Sequence, residues 1–166
     1  ENIARKIDRT SGVTGVEATS STQAMLSFEN SSNSNIKDFV SFNLYGIDGK
    51  IAAIDAEVDF GSGVNNMNLG PLRTEINKYS GQTGITAYLT DDNQAILLKT
   101  RQGFDIIIED FNLKIDTNSV SMYINEMKSN GEISPISLKL DQKSSAADAN
   151  DSARIFGEVV LKSNKH

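Results

Sequence analysis

The chain has 166 residues, a formal net charge of −6, no cysteine, no tryptophan and a single histidine, His166, at its last position. That length admits one ordinary domain or two small ones. The acidic balance disfavours nucleic acid, whose phosphates need a basic surface, no stretch approaches the roughly 20 apolar residues of a membrane helix, and the missing cysteines exclude disulfides and thiolate chemistry within the chain.

In chain order, Ile3 and Ile7 stand four apart and share one face of a helix expected over 3–10. Gly12 sits where that helix should stop, and Gly15 then releases the chain into a strand from Val16 to Ser20. Ser21-Thr22 reads as a polar turn, after which Gln23-Ala24-Met25-Leu26 returns as the second arm of a hairpin. Residues 30–35 read as a linker and Asp48-Gly49 as a hairpin turn. Ile54, Ala56, Val58 and Phe60 then alternate with Asp55, Glu57 and Asp59, a strand with one wet face. After a second linker at 61–68, Gly70-Pro71 starts a helix carrying Leu72, Ile76 and Tyr79 on one stripe. Gly81 should stop it and Gly84 should lead into a strand at 85–90, a turn at Asp91-Asp92-Asn93 and a second arm from Gln94.

Residues 104–111 are apolar on both faces, as expected of a central strand. Val120, Met122 and Ile124 alternate with polar residues, as do Ile136, Leu138 and Leu140 after a turn at Asn130-Gly131. All these apolar positions read as core. Residues 142–151 read either as a short helix or as a mobile loop.

One phrase occurs twice. Ile7-Asp8-Arg9-Thr10-Ser11-Gly12-Val13-Thr14-Gly15-Val16-Glu17-Ala18 returns 69 residues later as Ile76-Asn77-Lys78-Tyr79-Ser80-Gly81-Gln82-Thr83-Gly84-Ile85-Thr86-Ala87. The isoleucine, serine, both glycines, threonine and alanine recur unchanged, and a fixed-offset repeat marks a duplicated structural unit. The expected fold is therefore α+β and strand-dominated: two tandem helix-plus-β-hairpin units with additional antiparallel strands. The first unit is placed in 1–64 and the second in 65–166.

Little in the chain points to chemistry. His166 offers a poor acid–base group or metal ligand at a chain end. Asp91-Asp92 lies in a turn where aspartate is favoured anyway, while Glu109-Asp110 and the Asp55, Glu57, Asp59 row fit solvated strand faces. Asp48-Gly49 and Asn130-Gly131 lack the ligand spacing of a calcium loop. Gly61-Ser62-Gly63 lacks the lysine of a phosphate loop. Ser-Gly-x-Thr-Gly follows a helix, where a phosphate site would precede one. No catalytic residue, cofactor or metal is expected. A carbohydrate-binding module would need exposed aromatics on a concave patch. Tyr45, Tyr88 and Tyr123 are the candidates, each equally at home in a strand.

The phrase at 76–87, and its variant at 7–18 with Asp8 and Glu17, resembles the "IN" motif of bacterial flagellins and hook-associated proteins. The resemblance covers about thirty residues around each copy. Phe156 to Ser163 is similar to the segment where a flagellin's outer region returns to its helical stem, and Glu1-Asn2-Ile3-Ala4 enters mid-pattern like a piece cut from a longer protein. The resemblance implies a non-catalytic outer domain of a filament subunit, the exposed variable middle region, lacking the long heptad-rich helices of the filament core. It implies a structural role for Ile7, Ser11, Gly12, Thr14, Gly15 and Ala18, and for Ile76, Asn77, Ser80, Gly81, Thr83, Gly84 and Ala87. It further implies neighbouring subunits as partners, a monomeric isolated fragment with its ends close together, and export by the flagellar route to the cell exterior; the charge and the hydropathy, for their part, give the expectation of no nucleic-acid and no membrane partner. Serines at 31, 32, 34, 144 and 145 are candidate acceptors of O-linked sugars. A domain of a cap or hook-associated protein is the alternative within the same class.

Overall fold

The computed structural model describes residues 3–32, 34–61, 66–100, 102–115, 119–141 and 150–163. In chain order these form α1 (Ile3–Asp8), α2 (Ser11–Thr14), β1 (Val16–Asn30), β2 (Lys37–Tyr45), β3 (Ile51–Asp59), α3 (Gly70–Lys78) and α4 (Ser80–Thr83). There follow β4 (Thr86–Leu89), β5 (Ala95–Thr100), β6 (Ile106–Leu113), β7 (Val120–Met127), β8 (Ile133–Leu140), β9 (Ala153–Ile155) and β10 (Glu158–Ser163). Strands hold 53% of the described residues and helices 18%, so the fold is strand-dominated, as the alternating patterns imply.

Two antiparallel sheets carry the molecule. The larger runs β4-β5-β1-β7-β8, with β10 pairing Val16 to Ser21 at the start of β1. The smaller runs β3-β2-β6-β9. Their inner faces meet in one core: Ala24, Leu26, Met122 and Ile124 from the first sheet, Val40, Phe42, Ile54 and Ile108 from the second. Phe60 and Phe111 are fully buried there, each side chain contributing about 1.5–3 kcal/mol of hydrophobic stabilisation. α3 packs against β3 and β4, the edge strands of the two sheets, and closes the gap between them with Leu72 and Ile76. Residues on both sides of position 64 supply both sheets and the core, and the boundary expected at 64/65 falls outside the described residues.

Several expected elements stand as read. β3 buries Ala52, Ile54, Ala56 and Val58 and turns Asp55 and Glu57 to solvent. Pro71 lies in the first turn of α3, where its missing N–H costs nothing. The turns at Asp48-Gly49, Asp91-Asp92-Asn93 and Asn130-Gly131 each join paired strands. Asp48, Gly49, Asn93 and Gly131 supply positive φ there, which Asp, Asn and Gly tolerate best. In the second of these turns the Thr90 hydroxyl and the Gln94 N–H both donate to the Asp92 carboxylate, holding its pKa below the ordinary value. That contribution is present above the ordinary carboxylate pKa and fades as pH falls through the lowered one.

Four expectations are corrected. The first copy has no hairpin: β1 runs unbroken through Ser21-Thr22 for 15 residues. Ala18, Thr22, Ala24, Leu26 and Phe28 keep one inward phase along it, and neither Ser21 nor Thr22 adopts the positive φ that turns the chain at Asn93. Gly12 and Gly81 do not end their helices. The chain breaks earlier, around Thr10 and Tyr79, and both glycines sit inside the short helical turns α2 and α4 with open space around them.

Ile136 and Leu138 are not core residues; they are 70% and 39% exposed, because β8 is an edge strand with little packed over it. A bulge around Pro135, where Ser134 O and Ile136 O accept from the Asn125 amide, breaks the register of that edge. Proline and bulges blunt an edge against pairing with another chain. Finally, the two-faced apolar pattern of 104–111 reflects a change of phase as well as a central position. β6 does pair on both sides, but an extra residue at Asp110, with φ +58, moves its inward set from Ile106 and Ile108 to Phe111 and Leu113.

A further strand, β2, occupies a stretch the periodicity reading leaves unassigned. Val40, Phe42 and Leu44 alternate inward along it, and so does Asp38. The readings of 142–149 and of Ser144, Ser145 and His166 concern positions outside the described residues.

Candidate functional site

The repeated phrase folds the same way at both places. Thr10 and Tyr79 hold nearly the same backbone, φ −103 and −100. The Thr10 carbonyl accepts from Val13 N and Thr14 N, and the Tyr79 carbonyl accepts from Gln82 N and Thr83 N. Gly15 N donates to Ser11 O at 2.7 Å, and Gly84 N to Ser80 O at 2.8 Å. Gly15 and Gly84 are then left-handed, with φ 68 and 72, a conformation that costs glycine nothing and a side-chain-bearing residue about 1 kcal/mol or more. Each threonine hydroxyl donates back to the residue four earlier and accepts from the N–H two residues on: Thr14 to Thr10 O and from Val16 N, Thr83 to Tyr79 O and from Ile85 N.

The second residue of the phrase explains why helix and strand stay together. The Asn77 carboxamide faces Ala87 and makes both backbone bonds a neighbouring strand would make. Ala87 N donates to its Oδ1 and its Nδ2 donates to Ala87 O, each at 2.8 Å. The open edge of β4 is thereby occupied at Ala87, which is buried. Asp8 does half of this: Ala18 N donates to its Oδ1 at 3.1 Å, and a carboxylate has no donor to return. The motif singles out this residue, but its strand-mimicking contact is not visible in sequence.

Each set of motif residues thus converges on its own helix–strand junction. The second junction is the deeper one. Ile76, Thr83 and Ile85 are nearly inaccessible, whereas Ile7 and Val16 are half-buried and Thr14 is exposed. Replacing Asn77 with leucine is expected to cost about 2 kcal/mol, because the buried N–H and C=O of Ala87 lose their partners. Asp8→Asn should restore the missing donor and stabilise by about 0.5–1 kcal/mol. Urea denaturation of both variants, with equal m-values, checks the pair.

Several acidic side chains make structural contacts. Lys37 pairs with Asp59 at 3.3 Å across β2 and β3. Asn43 donates to Asp110 at the β6 bulge. Glu109 accepts from Tyr45, whose pKa is raised chiefly by that bond, and Glu29 accepts from Tyr123 at 2.8 Å with the same result. Among the described residues no group of three His, Cys, Asp or Glu side chains is placed to hold a metal ion, and no helix is long and apolar enough to cross a membrane.

Of the three candidate tyrosines only Tyr88 remains uncommitted. It is 48% exposed and borders a hollow of about 650 Å³ on the outer face of the larger sheet, with Ser21, Gln23, Thr86, Lys99 and Phe104. α1 packs against β1 and β10, so the first and last described elements lie side by side. Comparison with protein-family models finds no match, and comparison with curated proteins finds none either.

Proposed function

We propose that this chain is a non-catalytic outer domain of a bacterial filament subunit of the flagellin type, exposed on the filament surface and exported to the cell exterior. The observation that carries the reading is the twice-used phrase, whose resemblance to the "IN" motif extends over both junctions and whose hydrogen bonds recur nearly bond for bond. The packing of α1 beside β10 suits an insertion that leaves a stem and returns to it. In this reading the two copies are tandem versions of one helix-plus-strand unit. The second keeps the hairpin and the first has it straightened into β1. The partners are neighbouring subunits, and exposed serines such as Ser34 are acceptors for O-linked sugars. The blunted β8 edge keeps the isolated domain monomeric.

Antibodies raised against the purified chain, applied with gold-conjugated secondary antibody to filaments sheared from the producing cells, test this by electron microscopy. Labelling along the filament length is the expected result. Labelling confined to the tip or to the hook junction would move the domain to a cap or hook-associated protein, and absence of labelling from intact flagella would overturn the reading.

A further inference from the structure

We infer that the hollow beside Tyr88 is a binding site for a short saccharide bearing a carboxylate. Its wall is set by sheet register. Gln23, Lys99 and Thr86 lie in one row across β1, β5 and β4, and Tyr88 stands two residues beyond Thr86 on the same outward face. The hollow lies within the size range of small-molecule sites. Among the described residues, the Ser21, Thr86 and Tyr88 hydroxyls and the Gln23 amide have no hydrogen-bond partner in the protein, and Lys99 has no carboxylate partner.

This combination fits a sugar. The half-exposed Tyr88 ring offers an apolar face to the C–H side of a pyranose, while hydroxyls and an amide both donate and accept, as vicinal sugar hydroxyls require. Among the described residues that line the hollow, Lys99 is the cation, on a protein of net charge −6 that does not attract anions in general. Tyr45 and Tyr123 lack this setting, since each hydroxyl is held by a glutamate. The neighbouring β4 edge is closed to an added peptide strand at Ala87 by Asn77, so the outer face rather than the edge is what the hollow offers.

Titrating ¹⁵N-labelled protein with D-glucuronate and, separately, with D-glucose tests the site. Saturable shifts at the amides of Gln23, Thr86, Tyr88 and Lys99 are expected, with glucuronate binding more tightly. Tyr88→Ala should weaken both sugars about fivefold or more, whereas Tyr88→Phe, which keeps the ring, should weaken them less. Lys99→Gln should abolish the preference for glucuronate and leave glucose binding as it was. Unchanged far-UV circular dichroism confirms that each exposed-site variant folds. No saturable shift with either sugar, shifts indifferent to Tyr88→Ala, or equal affinity for the two sugars in the unaltered protein would each overturn the assignment.

Discussion

Replacing Gly46 with alanine is expected to destabilise the protein by about 3 kcal/mol, the upper end of overpacking costs. The added Cβ would stand 1.9 Å from the Thr83 carbonyl oxygen and 2.7 Å from its carbon. Both atoms are backbone, so no side-chain rotation relieves the clash. The site matters because the tip of the β2–β3 hairpin docks here on α4. Gln82 Nε2 donates to Ile51 O, and Ile47 lies 3.5 Å from where a Cβ on Gly84 would sit. Forcing the two apart separates the smaller sheet from the second copy of the phrase. Equilibrium urea denaturation should show the loss as a lower midpoint. A variant as stable as the parent would mean that hairpin tip and helical turn do not meet as described.

Removing the Asp38 carboxylate should cost a similar amount, about 3 kcal/mol for Asp38→Ala, since hydrogen bonds to a charged group contribute about 1.5–3 kcal/mol each. Asp38 is fully buried. Its Oδ1 accepts from Phe39 N at 2.6 Å, Lys114 N at 3.0 Å and Ile115 N at 2.9 Å. The carboxylate therefore ties the start of β2 to the residues that follow β6, and alanine would leave these donors without it. Asp38→Asn should lose about half as much, because the amide keeps one acceptor but turns a donor toward Ile115 N, which now bonds Oδ2 as well. Thermal melts of the two variants give the order. If Asp38→Asn proved the worse of the two, the backbone donors would not be what holds this residue.

These two positions mark where the sequence is silent. Nothing in Gly46 distinguishes it from glycines in open space such as Gly12 and Gly81, because a close approach depends on residues distant in the chain. Asp38 looks like any charged residue before an apolar run, and two of its partners lie 76 and 77 residues on. What is legible is local. Alternation gives β3 and β7, Gly70-Pro71 gives the start of α3, and Asp48-Gly49, Asp91-Asp92-Asn93 and Asn130-Gly131 give three hairpins.

Alternation does not say whether anything covers the face it defines, which is why Ile136 and Leu138 look like core and stand exposed on an edge strand. The repeated phrase announces that a unit is duplicated but not which contact makes it useful. Asn77 and Asp8 show that contact only once Ala87 and Ala18 are brought beside them. The hollow at Tyr88 is likewise assembled from three strands in register, and the sequence alone marks only its tyrosine as a candidate for binding.

The decisive measurement is the backbone geometry of both phrases in solution, from NMR scalar couplings that report φ and couplings transmitted through hydrogen bonds. Positive φ at both Gly15 and Gly84, with Gly15 N coupled to Ser11 C′ and Gly84 N to Ser80 C′, is the expected result for one device used twice. Unlike conformations at the two glycines, or a coupling present in one copy and missing from the other, would contradict it.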